Sequence, residues 1–404
     1  IRDRLFAQRR QLHRSVALWY EHGLDDGITR LWENLPESPL APYSPLLVYH
    51  WRQAEESERE RYYAGMAGKW AAAQFANTEA SAYFSRALDL TPETDWESRY
   101  NLLLAREAVN DLRGEREPQA QDLINLILLT DRLKDERHGA KVILRVSSYK
   151  EVISDYPGAS LAAQKAVEYA TQVQDRAQEI EGYIAWGKVR WRQGHYDAAC
   201  DPLMHALTMA RAANYRLGEA QSLQTLGNVY LYQNNYPAAQ EHYRQALDIY
   251  EAEGNRQGAA DNQINLGMSY YELGNYSLAR DYYEQALTTF HATGDRRGET
   301  IVLNNLGIVY CDLGDYERAR NDHEQALALR RTIGDLWGEA NSLVNLGYVY
   351  HSLGDNETAR RHCERALAIQ REIGDPRGEG YSLTYLGHAL AGLGKLTPAV
   401  EAYT

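Results

Sequence analysis

Between Ala220 and Glu253 the apolar residues fall on two stripes. Leu223, Leu226, Gly227 and Tyr230 lie at i, i+3, i+4 and i+7, which is one face of an α-helix. Ala239, Tyr243, Ala246, Leu247 and Tyr250 form a second stripe of the same kind. Asn234-Asn235 separates the two, and Gly254 follows the second. Gly or Asn tolerates the left-handed conformation that ends a helix. A following Asn or Asp accepts from the free N–H groups that open the next one. The pattern predicts a helical hairpin.

That hairpin is copied. Asn-Leu-Gly stands at 265–267, 305–307 and 345–347, and Thr225-Leu226-Gly227 and Tyr385-Leu386-Gly387 keep the register. The break recurs as Gly274-Asn275, Gly314-Asp315 and Gly354-Asp355, and the closing glycine as Gly294, Gly334 and Gly374. Gly at 227, 267, 307, 347 and 387, and Ala at 239, 279, 319, 359 and 399, put small residues where the two helices must approach closely. A strict long period means one supersecondary unit stacked on itself. Backwards along the chain, Trp186-Gly187 with Ala199 and Ala206 is in register, as is Val146-Ser147 with Ala159 and Ala166. Tyr100 to Lys134 fits less well, with Ala120 displaced by one residue. Arg61 to Glu93 is a shorter form with Gly68, Ala80, Phe84, Ala87 and Pro92. The expected organisation is a non-repeating helical segment over 1–60. A repeat array follows over 61–404, with about eight hairpins and a last one cut off at Thr404.

Leu-x2-Leu-Gly-x2-Tyr, then a small Ala, an aromatic residue and a second Ala, resembles the tetratricopeptide repeat (TPR) family. The usual period there is about 34 residues; the 40-residue spacing here is similar to the Pins-type adaptor repeats of animals and to many bacterial signalling proteins. The resemblance implies an all-α fold, a right-handed α-solenoid of helical hairpins. Roughly residues 5–92 also resemble the junction of bacterial AAA or STAND ATPase regulators, where the last helices of the ATPase hand over to a TPR arm. The order behind this is a helical stretch at Phe6–Arg14, a break with Pro36, Pro39, Pro42 and Pro45, and a second helix at Leu46–Trp51. The chain starts at Ile1 without Met and stops inside a predicted helix, so a segment of a longer protein is expected.

Composition narrows the function classes. Tyr is common at 30 and Phe rare at 4, which suits a thin, half-wet core because the tyrosine ring packs while its hydroxyl reaches water. The net charge of −13 argues against nucleic acid, which needs a basic footprint. No apolar run is long enough to cross a membrane, and no signal peptide is visible. Cys200, Cys311 and Cys363 have no paired spacing, which points to a reducing cytoplasm. The chain carries no GxxxxGK[ST], GxSxG, HExxH or CxxC motif; Gly65-Met66-Ala67-Gly68-Lys69-Trp70 is only superficially a phosphate loop and falls on a repeat helix. No enzyme activity and no cofactor or metal is expected. His351, His388 and Cys311 read as solvated groove residues rather than ligands.

In TPR arrays the first helix of each hairpin lines the concave side, and its outward positions lie between the packing residues. Early repeats supply Lys141, Arg145, Lys188, Trp191 and Arg192 there; later ones supply Gln221, Gln224, Asn228, Tyr232, Asp261, Asn265, Glu272, Asn304, Asn305, Asp312, Asn341, Asn345, Tyr348 and His351. Asn265, Asn305 and Asn345 recur once per repeat. An amide side chain both donates and accepts, so the ladder either pairs with the backbone of an extended peptide, as similar ladders do in TPR adaptors, or bonds neighbouring helices. Lys141, Arg145, Lys188 and Arg192 resemble part of the carboxylate clamp of some TPR proteins, or are ordinary surface charge. The preceding unit has Leu104 and Ala105 near the place of the clamp's Asn. The segments Arg216-Leu217-Gly218-Glu219, Arg297-Gly298-Glu299, Trp337-Gly338-Glu339 and Arg377-Gly378-Glu379 read as structural, Glu favouring the positive end of its helix and Arg pairing with a neighbouring hairpin.

The expected function is a protein-interaction scaffold or sensor arm that holds peptide segments and regulates an attached ATPase or signalling module. The alternatives are an arm that clamps its own ATPase in an inactive state, and a regulatory arm of a cyclase or protease. The last hairpin, with Ala399, Val400 and Tyr403 lacking a partner, is expected to fray or to meet a second copy.

Overall fold

The computed structural model describes residues 2–28 and 38–403. Among these, every regular element is helical. Two compact units divide the chain, one ending at Gln193 and the other starting at Gly194.

The first unit opens with α1 (Arg2–Ile28), a short 3-10 turn at Ala41–Tyr43 and α2 (Ser44–Gln53). Of the four prolines read as a break, Pro39, Pro42 and Pro45 lead into this turn and helix, and Pro36 lies outside the described residues. α1 lies on α2 through a His13–His50 contact of 2.9 Å between the two Nδ1 atoms and a bond from Trp51 Nε1 to Glu21. Then come α3 (Ser57–Ala73) with α4 (Asn77–Leu90), α5 (Trp96–Arg113) with α6 (Arg116–Leu133), α7 (Glu136–Val152) with α8 (Tyr156–Gln172), and α9 (Arg176–Arg192). The second unit holds α10 (Tyr196–Ala212), α11 (Arg216–Tyr232), α12 (Tyr236–Ala252), α13 (Arg256–Glu272), α14 (Tyr276–Thr293), α15 (Arg296–Asp312), α16 (Tyr316–Ile333), α17 (Leu336–Ser352), α18 (Asn356–Ile373), α19 (Pro376–Gly392) and α20 (Leu396–Tyr403).

The helix ends are where the pattern put them. Asn234 and Gly274 have φ of 58° and 72°, the left-handed turn that ends a helix. The next residue, Asn235 or Asn275, caps the following helix through its side chain, as do Asp315 and Asp355.

Within each hairpin the small residues sit at the crossing, and what faces them is specific. Ala239, Ala279, Ala319 and Ala359 are fully buried. A Cβ added to Gly227 or Gly267 would lie 2.5 Å from the ring of Tyr243 or Tyr283; at Gly307 it would meet His323, and at Gly347 Cys363 Sγ at 2.4 Å. Each glycine is thus a seat for the side chain sixteen positions on. A second glycine column seats the preceding hairpin: Gly258 against Tyr250, Gly298 against Phe290, Gly338 against Arg330 and Gly378 against Gln370. The core of the second unit therefore runs from hairpin to hairpin, with Tyr283, Phe290, Val302, Leu306 and Val309 in one cluster.

The displaced Ala120 has a physical account. Gln119, not Ala120, takes the buried position, and the glycine position is filled by fully buried Glu107. Gln119 Nε2 donates to Glu107 Oε1 at 2.8 Å. A polar pair replaces the small–small contact at this one crossing.

His323 brings a pH dependence. Its ring is buried, Nδ1 has no partner, and burial first, then the charge of Arg330, lower its pKa from 6.5 to about 4. The unfolded chain then binds the extra proton between those values, so stability contributed by neutral His323 falls as pH drops from 6.5 toward 4. Asp261 and Asp322, raised by burial to about 6, act in the opposite sense, gaining stability as pH falls through about 6. Replacing His323 by Tyr, the residue at 243 and 283, isolates the first effect. His323→Tyr should gain about 2 kcal/mol on the parent between pH 7 and pH 5, read from denaturant midpoints. A constant difference at both pH values would show that His323 titrates normally.

Candidate functional site

The first helices of the second unit, α11, α13, α15, α17 and α19, present one face each between their packing residues. Bonds between successive helices join these faces. Tyr271 on α13 donates its hydroxyl to Asp312 on α15 at 2.6 Å. Asn345 on α17 donates Nδ2 to Asn304 Oδ1 on α15 at 2.9 Å. The rings of Tyr348 and Tyr385 lie 5.5 Å apart, and His351 stacks on His388 at 5.8 Å. His351 Nδ1 also reaches Asn356 Oδ1 at 2.6 Å.

The amide ladder is split in its bonding. Asn345 is tied to Asn304, and Asn228 accepts from the Tyr243 hydroxyl at 2.7 Å. Asn265 and Asn305 are partly exposed, and among the described residues neither amide has a bonding partner. The repeated asparagine thus bonds its neighbour at one rung, Asn345 to Asn304, and is partly exposed at two others, Asn265 and Asn305.

The charge on this face has one sign. Its carboxylates are Asp261, Glu272 and Asp312, and no Lys or Arg stands at the outward positions from Gln221 to Gly392. Burial and the Asp295 carboxylate raise Asp261 to about 6. Burial, then the bond to Asp312, raises the Tyr271 hydroxyl. Burial, then Asp312, raises the Cys311 thiol to about 12, so it stays a protonated thiol rather than a thiolate nucleophile. Among the described residues no group of three His, Cys, Asp or Glu could hold a metal ion.

In the first unit three of the four predicted cations are engaged. Arg145 clamps buried Glu107 with bonds of 2.7 and 3.1 Å and lies 3.5 Å from Asp111. Lys188 and Arg192 both reach Glu151, at 3.0 and 3.2 Å. Lys141 is exposed. The structure thus brings Lys188 and Arg192 together around one carboxylate and puts Arg145 on another. Glu107 was missed from the sequence; an ionisable residue standing in the glycine register was the available signal.

The segments between hairpins also resolve into pairs. Glu219 joins Arg211 at 2.9 Å and Arg216 at 2.5 Å; Glu299 joins His291 and Arg296; Glu339 joins Arg331; Glu379 joins Arg371.

The repeat geometry agrees with comparison to known proteins. A tetratricopeptide repeat model matches residues 178–252, 258–332 and 338–404, more than half of the sequence. The chain belongs to the tetratricopeptide repeat family. Among solved TPR-type structures it is similar to BtubC from P. vanneervenii, at 26% identity and a TM-score of 0.50 over 54% of this chain and 91% of that one. It shares its fold with a Rap protein complexed with competence and sporulation factor: 15% identity and a TM-score of 0.57, over 92% of this chain and 99% of that one. A STAND signal-transduction ATPase with a TPR sensor from Pyrococcus horikoshii gives 15% identity and a TM-score of 0.56, over 87% of this chain and 56% of that protein. No curated protein matches the sequence. TPR arrays are scaffolds for protein–protein interaction, and no described helix here is long and apolar enough to cross a membrane.

Proposed function

We propose that the face of α13, α15 and α17 holds an extended, basic protein segment. The observation that carries this is the pair Asn265 and Asn305, amides without partners among the described residues, on a face whose only full charges are carboxylates. Amides supply donors and acceptors to a peptide backbone, and Asp312 and Glu272 suit Lys or Arg side chains along it. Tyrosine faces such as Tyr348 and Tyr385 add cation–π attraction worth about 0.5–1 kcal/mol where exposed. The net charge of −13 would speed the encounter with a basic partner. The clamp reading of Lys141, Arg145, Lys188 and Arg192 is weaker, because an incoming carboxylate would compete with Glu107 or Glu151 for three of the four.

The arm would report occupancy of this face to an attached ATPase or signalling module, with residues 1–60 as the junction and 61–404 as the array. Two likenesses support this: the archaeal STAND protein described with a TPR sensor, and the Rap protein seen with a bound factor. A peptide library displayed against the chain should enrich Lys- and Arg-rich segments whose binding weakens with salt. Enrichment of acidic segments would overturn the reading. In a full-length parent carrying an ATPase, deleting the array should change ATP turnover; an unchanged rate would remove the sensor role.

A further inference from the structure

Within the second unit one junction between hairpins departs from its sisters. At Glu219, Glu299, Glu339 and Glu379 a carboxylate opens the first helix and is held by a basic side chain of the preceding helix, Arg211, His291, Arg331 or Arg371. An arginine at the start of the same helix, Arg216 or Arg296, joins two of these pairs. Forty residues after Glu219 stands Ala259, and forty after Arg211 stands Glu251. Arg256 occupies the place of Arg216 and Arg296, with no carboxylate beside it. Among the described residues neither Arg256 nor Glu251 has a side-chain partner.

The missing glutamate leaves a space. A cavity of about 370 Å³ opens there, lined by Tyr250, Glu251, Arg256, Ala259, Gln263 and Thr289 among others. None of its residues belongs to the outward face described above. Two further substitutions make its wall polar. Gln263 stands in a column otherwise filled by Leu223, Leu303, Leu343 and Leu383, and Thr289 in a column with Ile249, Leu329 and Ile369. Gln263 is 8% exposed; its Nε2 reaches Gln285 Oε1 at 3.4 Å, and its own Oε1 has no partner. Leaving a buried acceptor unpaired is costly, and the glutamine in this leucine column carries one behind the cavity wall.

We infer that this cavity is a binding site for a small zwitterion of the α-amino-acid class. Its carboxylate takes the place of the absent glutamate beside Arg256, which presents a forked set of donors matched to a carboxylate. Its ammonium faces Glu251, the carboxylate that replaces the usual cation, with the polar Gln263 in the wall behind it. The stem of Tyr250, whose hydroxyl is already bound to Gln224 at 3.1 Å, and the methyl of Ala259 supply the apolar floor. The remaining volume takes a modest side chain.

The test is isothermal titration calorimetry of the whole chain with each free L-amino acid in the millimolar range, beside the matched amines and the matched carboxylic acids. At least one amino acid should bind saturably, one per chain, with its amine and its acid at least about tenfold weaker. Gln263→Leu restores the column's leucine; it should weaken binding at least about tenfold while raising the melting temperature. The double variant Glu251→Arg with Ala259→Glu rebuilds the sister arrangement, and it should fold and lose binding altogether. Three results would overturn the inference: no saturable binding by any amino acid, equal binding of the matched acid, or undiminished binding by the rebuilt junction. These outcomes are independent of the peptide face, which Glu251, Ala259 and Gln263 do not line.

Discussion

Gly307→Leu should cost the protein about 3 kcal/mol or more. Overpacking a closed site costs typically about 1–3 kcal/mol, and here the first added atom alone would sit 2.5 Å from His323 Nε2. His323 is fully enclosed and cannot swing away into water. Leucine would also carry its branch into the space that Ala319, across the crossing, leaves for backbone approach. Repeat arrays couple only to their neighbours, so the damage should be local. Hydrogen exchange should lose protection in α15 and α16 first, with α11 and α12 retained. His323→Ala in the same chain opens room for the leucine and should recover part of the loss, although each change alone destabilises. A Gly307→Leu variant that melts with the parent would mean that the glycine does not seat the imidazole.

Replacing Asn265, Asn305 and Asn345 together by Ala should leave the helices intact and weaken partner capture by about tenfold to a thousandfold. Alanine is the better helix former, so circular dichroism should not change. Each amide that pairs with a peptide backbone contributes about 0.5–1.5 kcal/mol net, and three of them span that range of affinity. The single changes should not be equal. Asn345 already donates to Asn304, so Asn345→Ala should cost less binding than Asn265→Ala or Asn305→Ala. Fluorescence anisotropy with a basic peptide selected on the parent chain measures all four variants. Unchanged affinity in the triple variant would remove the ladder from the binding face.

The rebuilt junction carries a stability prediction as well. Glu251→Arg with Ala259→Glu should stabilise by up to about 1 kcal/mol, the range of exposed ion pairs, and the gain should shrink in high salt. A denaturant titration at two ionic strengths checks both signs.

Local and repeated features were legible in the sequence. The 40-residue period, the hairpin stripes and the Gly/Ala crossing needed only helix periodicity and residue size. The caps at Asn235, Asn275, Asp315 and Asp355 needed only chemistry within a few residues. Each feature acts over short range and was printed several times, so chance matches were excluded by repetition. The face of the first helices could be placed for the same reason, because its register follows from the motif glycine.

Tertiary structure decided the bonds between neighbouring hairpins. Whether Arg145 faces solvent or neutralises Glu107 depends on a partner 38 residues away, and Lys188 and Arg192 share Glu151 across a similar gap. The sequence shows a cation at an outward position; only the packed array shows a carboxylate within reach of its rotamers. Asn345 differs from Asn265 and Asn305 for the same reason, since identical residues in identical register meet different neighbours: Asn345 finds Asn304 on the preceding first helix. The cavity at Ala259 is the extreme case. It is made by an absent side chain, and an absence has a shape only when the surrounding helices are packed against it.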